Sequence, residues 1–121
     1  MKVYIFDGWC RSPCASTVKF PSFQGHITKV NISVDIEGVA GITHWDEAEK
    51  AHPDYPEFRE QMTREAVAAI EGAQAAGAKE IWINDAHDSG RNLITSMLPA
   101  DMHLIRCLAG HPLCMVQELA C

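Results

Sequence analysis

The chain has 121 residues, 47% of them apolar and 21% charged, with a formal net charge of −6 at pH 7. That length suits one domain with a real core and does not comfortably hold two. The acidic balance, with no run of Lys or Arg, argues against nucleic acid and anionic membrane surfaces as partners, and no apolar stretch approaches the roughly 18–20 residues of a membrane span.

The N-terminus MKVYIFDGWCRSP has only a short apolar run before Asp7 and Gly8, a poor signal peptide, so the chain is expected to be cytoplasmic. Five cysteines (Cys10, Cys14, Cys107, Cys114 and Cys121) are irregularly spaced, with no CxxC. Free thiols in a reducing compartment are expected, not a disulfide framework or a zinc knuckle. Cys107 and Cys114 read as small buried apolar residues.

In chain order, MKVYIF has the composition of a short strand. The rest of residues 1–29 mixes Gly, Pro, Ser and Cys with no period, and the whole reads as an irregular N-terminal segment. VNISVDI, residues 30–36, is a near-continuous apolar run bounded by Gly38 and predicts a buried strand. A loop rich in turn residues follows, and Pro56 suits the first turn of a helix over 56–78. There Phe58, Met62, Ala66, Ala69, Ile70 and Ala73 fall on one stripe, and Gly77 is a stop signal. EIWIN, residues 80–84, predicts a second strand, and residues 85–90 a polar turn. Residues 92–98 predict a short amphipathic helix closed by Pro99, and residues 102–106 a third strand. A further helix is expected around Met115.

Strand, helix, strand, helix, strand implies right-handed βαβ units: an α/β fold with a parallel sheet flanked by helices. Three strands make a thin sheet, so residues 30–121 read as an incomplete domain. Its exposed edge favours self-association, hence a homo-oligomer.

Ligands of an open parallel sheet sit beyond the carboxyl ends of the strands. Asp35 and Glu37 lie at that end of the first strong strand; Asn84, Asp85 and His87 lie at that end of the next. Neighbouring strands are about 4.8 Å apart, so these groups could share a crevice. Two carboxylates one residue apart at the mouth of a buried strand repel unless something positive sits between them. Carboxylate and imidazole suit a borderline divalent ion such as Zn²⁺, which makes Asp35, Glu37 and His87 the candidate metal ligands. An Asp bridging two ions beside a Glu would form part of a two-metal site that activates water and polarises a carbonyl.

Each residue has a plainer alternative. Asp35 could cap the following turn, Glu37 could be solvated, His87 could be a loop histidine, and Asp85 could form an Asx-turn. His44 and Trp45 could line a substrate pocket or simply pack within their loop. His26, His52, His103 and His111 read as structural. At the level of the whole chain, the main rival is a non-catalytic, flavodoxin-like binding module using the same crevice. A hydrolase holding Mg²⁺ at Asp35 and Asp85 is a second rival, disfavoured by the lack of a Gly-rich phosphate loop or Walker-type lysine.

SVDIEGVAG at a strand end, MTREA in the helix and NDAH after the next strand together resemble the zinc-dependent D-aminopeptidases of the M55 type, the DppA-like family. The likeness runs from about Ile32 to Leu119, and HPLCMVQEL resembles the stretch after the family's third strand. The resemblance implies an α/β fold and a catalytic centre with two Zn²⁺ ions. It also implies hydrolysis of N-terminal D-amino acids from short peptides. By motif, Asp35 matches the metal-bridging aspartate, Glu37 the neighbouring glutamate ligand and His87 the first histidine ligand. The family's other histidine and acidic ligands and its catalytic histidine fall downstream of the matched stretch, and Glu118 replaces a family glycine. Residues 6–32 separate MKVYI from Ser33, whereas the family runs directly from one to the other. The chain is therefore expected to be an N-terminal part of such an enzyme, binding metal weakly or singly and inactive alone.

Overall fold

A crossover through one long helix sets two parallel strands side by side. The computed structural model describes residues 29–107 and the backbone of residues 2–6. The elements are β1 (Lys2–Phe6), β2 (Lys29–Val34), α1 (Tyr55–Ala75), β3 (Glu80–Asp85) and β4 (His103–Ile105). They form one four-stranded sheet in the order β1-β2-β3-β4. β2 pairs with β3, and β3 with β4, in parallel; β1 pairs with β2 antiparallel. The expected parallel α/β core is present, and MKVYIF adds an antiparallel strand to it. The short strand that the composition of MKVYIF suggests is therefore present at Lys2–Phe6. Antiparallel addition needs no crossover helix, and it satisfies backbone groups that β2 would otherwise leave open.

Alternation along β2 and β3 decides the faces. Val30 sits opposite Ile81 and Ile32 opposite Ile83, so their β-branched side chains share one face. Met62, Ala66 and Ile70 of α1 are buried in the same cluster, and Phe58, Ala69 and Ala73 pack half-buried against it. That is the stripe expected from the sequence. Each fully buried Ile, Met or Leu contributes about 1.5–3 kcal/mol of transfer free energy.

α1 carries Pro56 in its first turn. It ends in a Schellman arrangement: Ala78 N donates to Ala73 O at 3.0 Å and Gly77 N to Gln74 O at 2.9 Å. Gly77 holds φ +89, the left-handed conformation that this ending requires and that glycine adopts without a Cβ penalty.

Other expectations need correction. Residues 92–98 form no α-helix; only Thr95–Met97 makes a 3-10 turn. A short stretch ahead of a proline nucleates poorly, and side chains elsewhere capture its amides: Leu93 N donates to Asp85 and Ile94 N to Thr63. α1 is thus the only α-helix among the described residues. Cys107, expected to be buried, is exposed with φ +69. It lies beyond β4, where the chain leaves the sheet. Cys114 and the helix expected around Met115 lie outside the described residues.

Candidate metal centre

β2 and β3 end in step. Val34 is paired with Asp85, and Ala86 N donates to Val34 O at 2.8 Å. The chain therefore leaves both strands at one rim. After β2 it enters a 3-10 turn, Ile36–Gly38, with Asp35 at the N-cap position. The Asp35 side chain makes no capping bond, so the capping alternative fails. Ile36 is buried beneath the turn, which anchors the two acids on either side of it.

The three candidate ligands meet. His87 Nδ1 lies 2.9 Å from Glu37 Oε2 and 3.3 Å from Asp35 Oδ1, and one donor atom from each residue lies within 4.8 Å of the others. The imidazole is only 15% exposed and the Asp35 side chain 35%. His87 Nε2 is 3.2 Å from the carbonyl oxygen of Ala48. A carbonyl only accepts, so Nε2 carries the proton in that bond. Nδ1 is thereby the ring nitrogen turned toward the two carboxylates.

Charge at this rim is unbalanced. Burial, followed by the hydrogen bond and the negative charge of Glu37, pushes the Asp35 carboxyl up to about 6. Glu37 is held below its ordinary value, first by the hydrogen bond from Asp35 and also by His87. Asp35 Oδ1 is a buried oxygen with no hydrogen-bond partner, despite its ion-pair approach to His87. An orphaned carboxylate oxygen beside a ring nitrogen and a second carboxylate is a donor set suited to a cation. Zinc fits it. With bonds of about 2.0–2.2 Å to nitrogen and oxygen, tetrahedral coordination sets neighbouring donors about 3.3 Å apart; the two distances from His87 Nδ1, 2.9 and 3.3 Å, are close to that, and all three donors lie within 4.8 Å of one another.

Asp85 is not part of this group, nor does it form an Asx-turn. It is buried, and its carboxylate accepts from Asn92 N at 2.5 Å, Asn92 Nδ2 at 2.7 Å and Leu93 N at 2.8 Å. Both oxygens are committed, which removes the Mg²⁺ reading that needed Asp85. His44 caps a 3-10 turn, Trp45–Glu47: its side chain accepts from Asp46 N, and Glu47 bonds back to the His44 amide. Trp45 is 67% exposed. With Glu37, Ile42, Thr43 and His44 it lines a shallow cleft of about 270 Å³ adjoining the acidic pair. Among the histidines read as structural, His52 lies beside Asp46 and Asp54. His103 stacks on Trp82 with ring centroids 4.4 Å apart. His26 and His111 lie outside the described residues.

Two contributors escaped the sequence. The Ala48 carbonyl is a backbone group and leaves no trace in residue type. Asn92 looked like the first residue of a helix; a polar residue five positions after a candidate ligand was the only available signal.

An acid–acid–imidazole group beyond the carboxyl ends of two adjacent parallel strands stands where open α/β sheets bind ligands, and it defines an α/β domain with a candidate divalent-metal site. Comparison with known proteins narrows the class. Residues 28–121 match the family model of the M55 peptidases, described as D-aminopeptidase, and the chain belongs to that family. It is 32% identical over 77 residues to a D-aminopeptidase of Bacillus subtilis (strain 168), covering 64% of this chain and 28% of that one. Among solved structures it is similar to the Zn-dependent D-aminopeptidase DppA from Bacillus subtilis, a self-compartmentalizing protease. The TM-score is 0.64 and the identity 31%, over 66% of this chain and 29% of the other. The chain thus spans less than a third of the length of these relatives. The flavodoxin-like alternative draws no support from these matches.

Proposed function

We propose that this chain contributes Asp35, Glu37 and His87 to the zinc centre of an aminopeptidase that removes N-terminal D-amino acids from short peptides. The observation that carries the reading is the meeting of three donor atoms within 4.8 Å at one rim of the sheet. Membership of the D-aminopeptidase family supports it, as does the likeness to a Zn-dependent member. Asp35, with one oxygen unpartnered, is suited to bridge two ions, the number that the family resemblance implies.

Zinc bound here would supply a Lewis acid for the scissile carbonyl and a water activated near neutral pH. The protein's own part is distinct. The Ala48 carbonyl holds the His87 Nε2 proton and so keeps Nδ1 free to ligate. Two carboxylates at the rim give an acidic environment suited to a substrate's free amine. The Trp45 cleft beside Glu37 offers an apolar wall for a peptide side chain. No helix of the described residues is long and apolar enough to cross a membrane. We assign the chain to the cytoplasm, with short peptides as substrate, no nucleic-acid or membrane partner, and a homo-oligomeric state. The self-compartmentalizing character of the similar DppA supports the last point.

Metal analysis and calorimetry on the purified chain test the reading. Stoichiometric zinc, lost in Asp35→Ala and in His87→Ala, is the expected result. Metal-free protein whose zinc response is the same before and after both substitutions would overturn it.

A further inference from the structure

The loop that carries His87 is tied down by one side chain. Asn92 uses every polar group it has. Its Nδ2 donates to Asp85 Oδ1 at 2.7 Å and to the backbone oxygen of His87 itself at 2.7 Å. Its Oδ1 accepts from the Tyr55 hydroxyl at 2.7 Å. Its amide donates to Asp85 Oδ2 at 2.5 Å, and its carbonyl accepts from Arg59 Nε at 2.5 Å. Asn92 and Asp85 are each 1% exposed and Tyr55 is 4% exposed. An amide so placed has no spare rotamer, and its partners come from the end of β3 and the first turns of α1.

The loop needs such a clamp. Asp88 has φ +45 and Gly90 φ +63, and a non-glycine residue in the left-handed region persists only where its surroundings determine it. Gly90 O also accepts from Cys107 N at 3.0 Å, fixing the loop's far side to the end of β4. A flexible loop would let the imidazole swing away from Asp35 and Glu37, since the ring's one other bond is to Ala48 O.

We propose that Asn92, anchored by Asp85 and Tyr55, is a positioning residue for the metal ligand His87. It holds that residue's backbone so that Nδ1 faces the carboxylates and Nε2 reaches Ala48. The proposal rests on the zinc-centre reading, yet its first readout needs no metal. In the metal-free wild-type chain, nitrogen-15 NMR of the imidazole should show one fixed ring orientation, with Nε2 held to the Ala48 carbonyl and Nδ1 to Glu37. Asn92→Ala should lose that fixed orientation. Zinc affinity should fall by about 10- to 100-fold, the usual effect of removing a group that orients a metal ligand. In a His87→Ala background, Asn92→Ala should cause no further loss of residual zinc binding, because its effect passes through His87. Tyr55→Phe, which removes one hydroxyl, should give the same changes in smaller measure and serves as the primary variant if Asn92→Ala fails to fold. A folded variant with wild-type ring signals and wild-type zinc affinity, changed only in melting temperature, would overturn the proposal. Wild-type protein that binds no zinc would sink the metal-centre reading instead, and the ring signals would still decide whether Asn92 positions His87.

Discussion

His87 Nδ1 stands 2.9 Å from the Glu37 carboxylate across 50 residues of sequence. The whole β2–α1–β3 crossover is spent on bringing them together, and only the parallel pairing of the two strands permits it. With the Nε2 proton engaged by Ala48, the contact sets acceptor against acceptor unless a proton or a metal ion lies between them.

That competition between proton and metal gives a pH dependence. The Asp35 carboxyl, raised to about 6 from 3.8, binds its proton more tightly folded than unfolded. Its contribution to the stability of the metal-free protein is therefore greatest at low pH and declines as pH rises through about 6. Glu37, shifted down, acts in the opposite sense: its contribution is present above its unfolded value and is lost on acidification. Comparing wild type with Asp35→Asn in chelator isolates the first effect. The variant should show the higher denaturation midpoint at about pH 7.5, with the gap closing toward about pH 4. Zinc affinity of the wild type should weaken below about pH 6, by up to about tenfold per unit for one displaced proton. A flat affinity profile between about pH 5 and 7 would contradict the assignment of that proton.

Trp45 presents an exposed indole beside the acidic pair and makes little of the core. Trp45→Ala should change stability by no more than about 0.5 kcal/mol and leave zinc affinity untouched. It should weaken the binding of a D-alanyl dipeptide to the zinc-loaded chain, followed by NMR titration. Unchanged peptide affinity would return Trp45 to the loop-packing alternative.

Two glycines in the left-handed region should respond differently. A Cβ at Gly77 meets nothing within 4 Å, so Gly77→Ala costs only conformational strain, about 1 kcal/mol. A Cβ at Gly90 would lie 2.7 Å from Cys107 N and 3.0 Å from Asp85 O, both backbone atoms. Gly90→Ala should therefore destabilise more than Gly77→Ala and also lower zinc affinity, since the His87 loop must shift. Equal melting temperatures for the two variants would refute the difference.

Ile70, fully buried between α1 and the sheet, tests the core. Ile70→Ala should cost about 2–5 kcal/mol by urea denaturation, without altering the pH at which zinc is released. A cost near zero would mean that α1 does not pack as described.

The sequence made the parallel core legible because both of its signals were strong. The stripe through Met62, Ala66 and Ile70 has helical period, and β2 and β3 are β-branched runs of strand length. The meeting of Asp35, Glu37 and His87 at one rim was legible because the carboxyl-end rule needs only strand direction. The rest depended on partners far along the chain. The helix expected at residues 92–98 failed because Asp85 and Thr63 take amides that local periodicity cannot see engaged. MKVYIF had strand composition, yet nothing in its five paired residues specifies that β2 lies beside it. Cys107 was taken for an apolar residue by type, while its exposure follows from the place where β4 stops.

The two acids follow β2 and the imidazole follows β3, so an ion gripped by all three would act as a clasp between neighbouring strands. Slipping one strand past the other by a single residue would turn the slipped strand's side chains to the opposite face, carry its donors away from the others and release the ion. Such an ion recognises only the native register, and at a concentration of 100 times Kd it would favour the folded chain by about 2.7 kcal/mol. Scarcity of the metal would then deplete the folded population itself before any question of turnover arose.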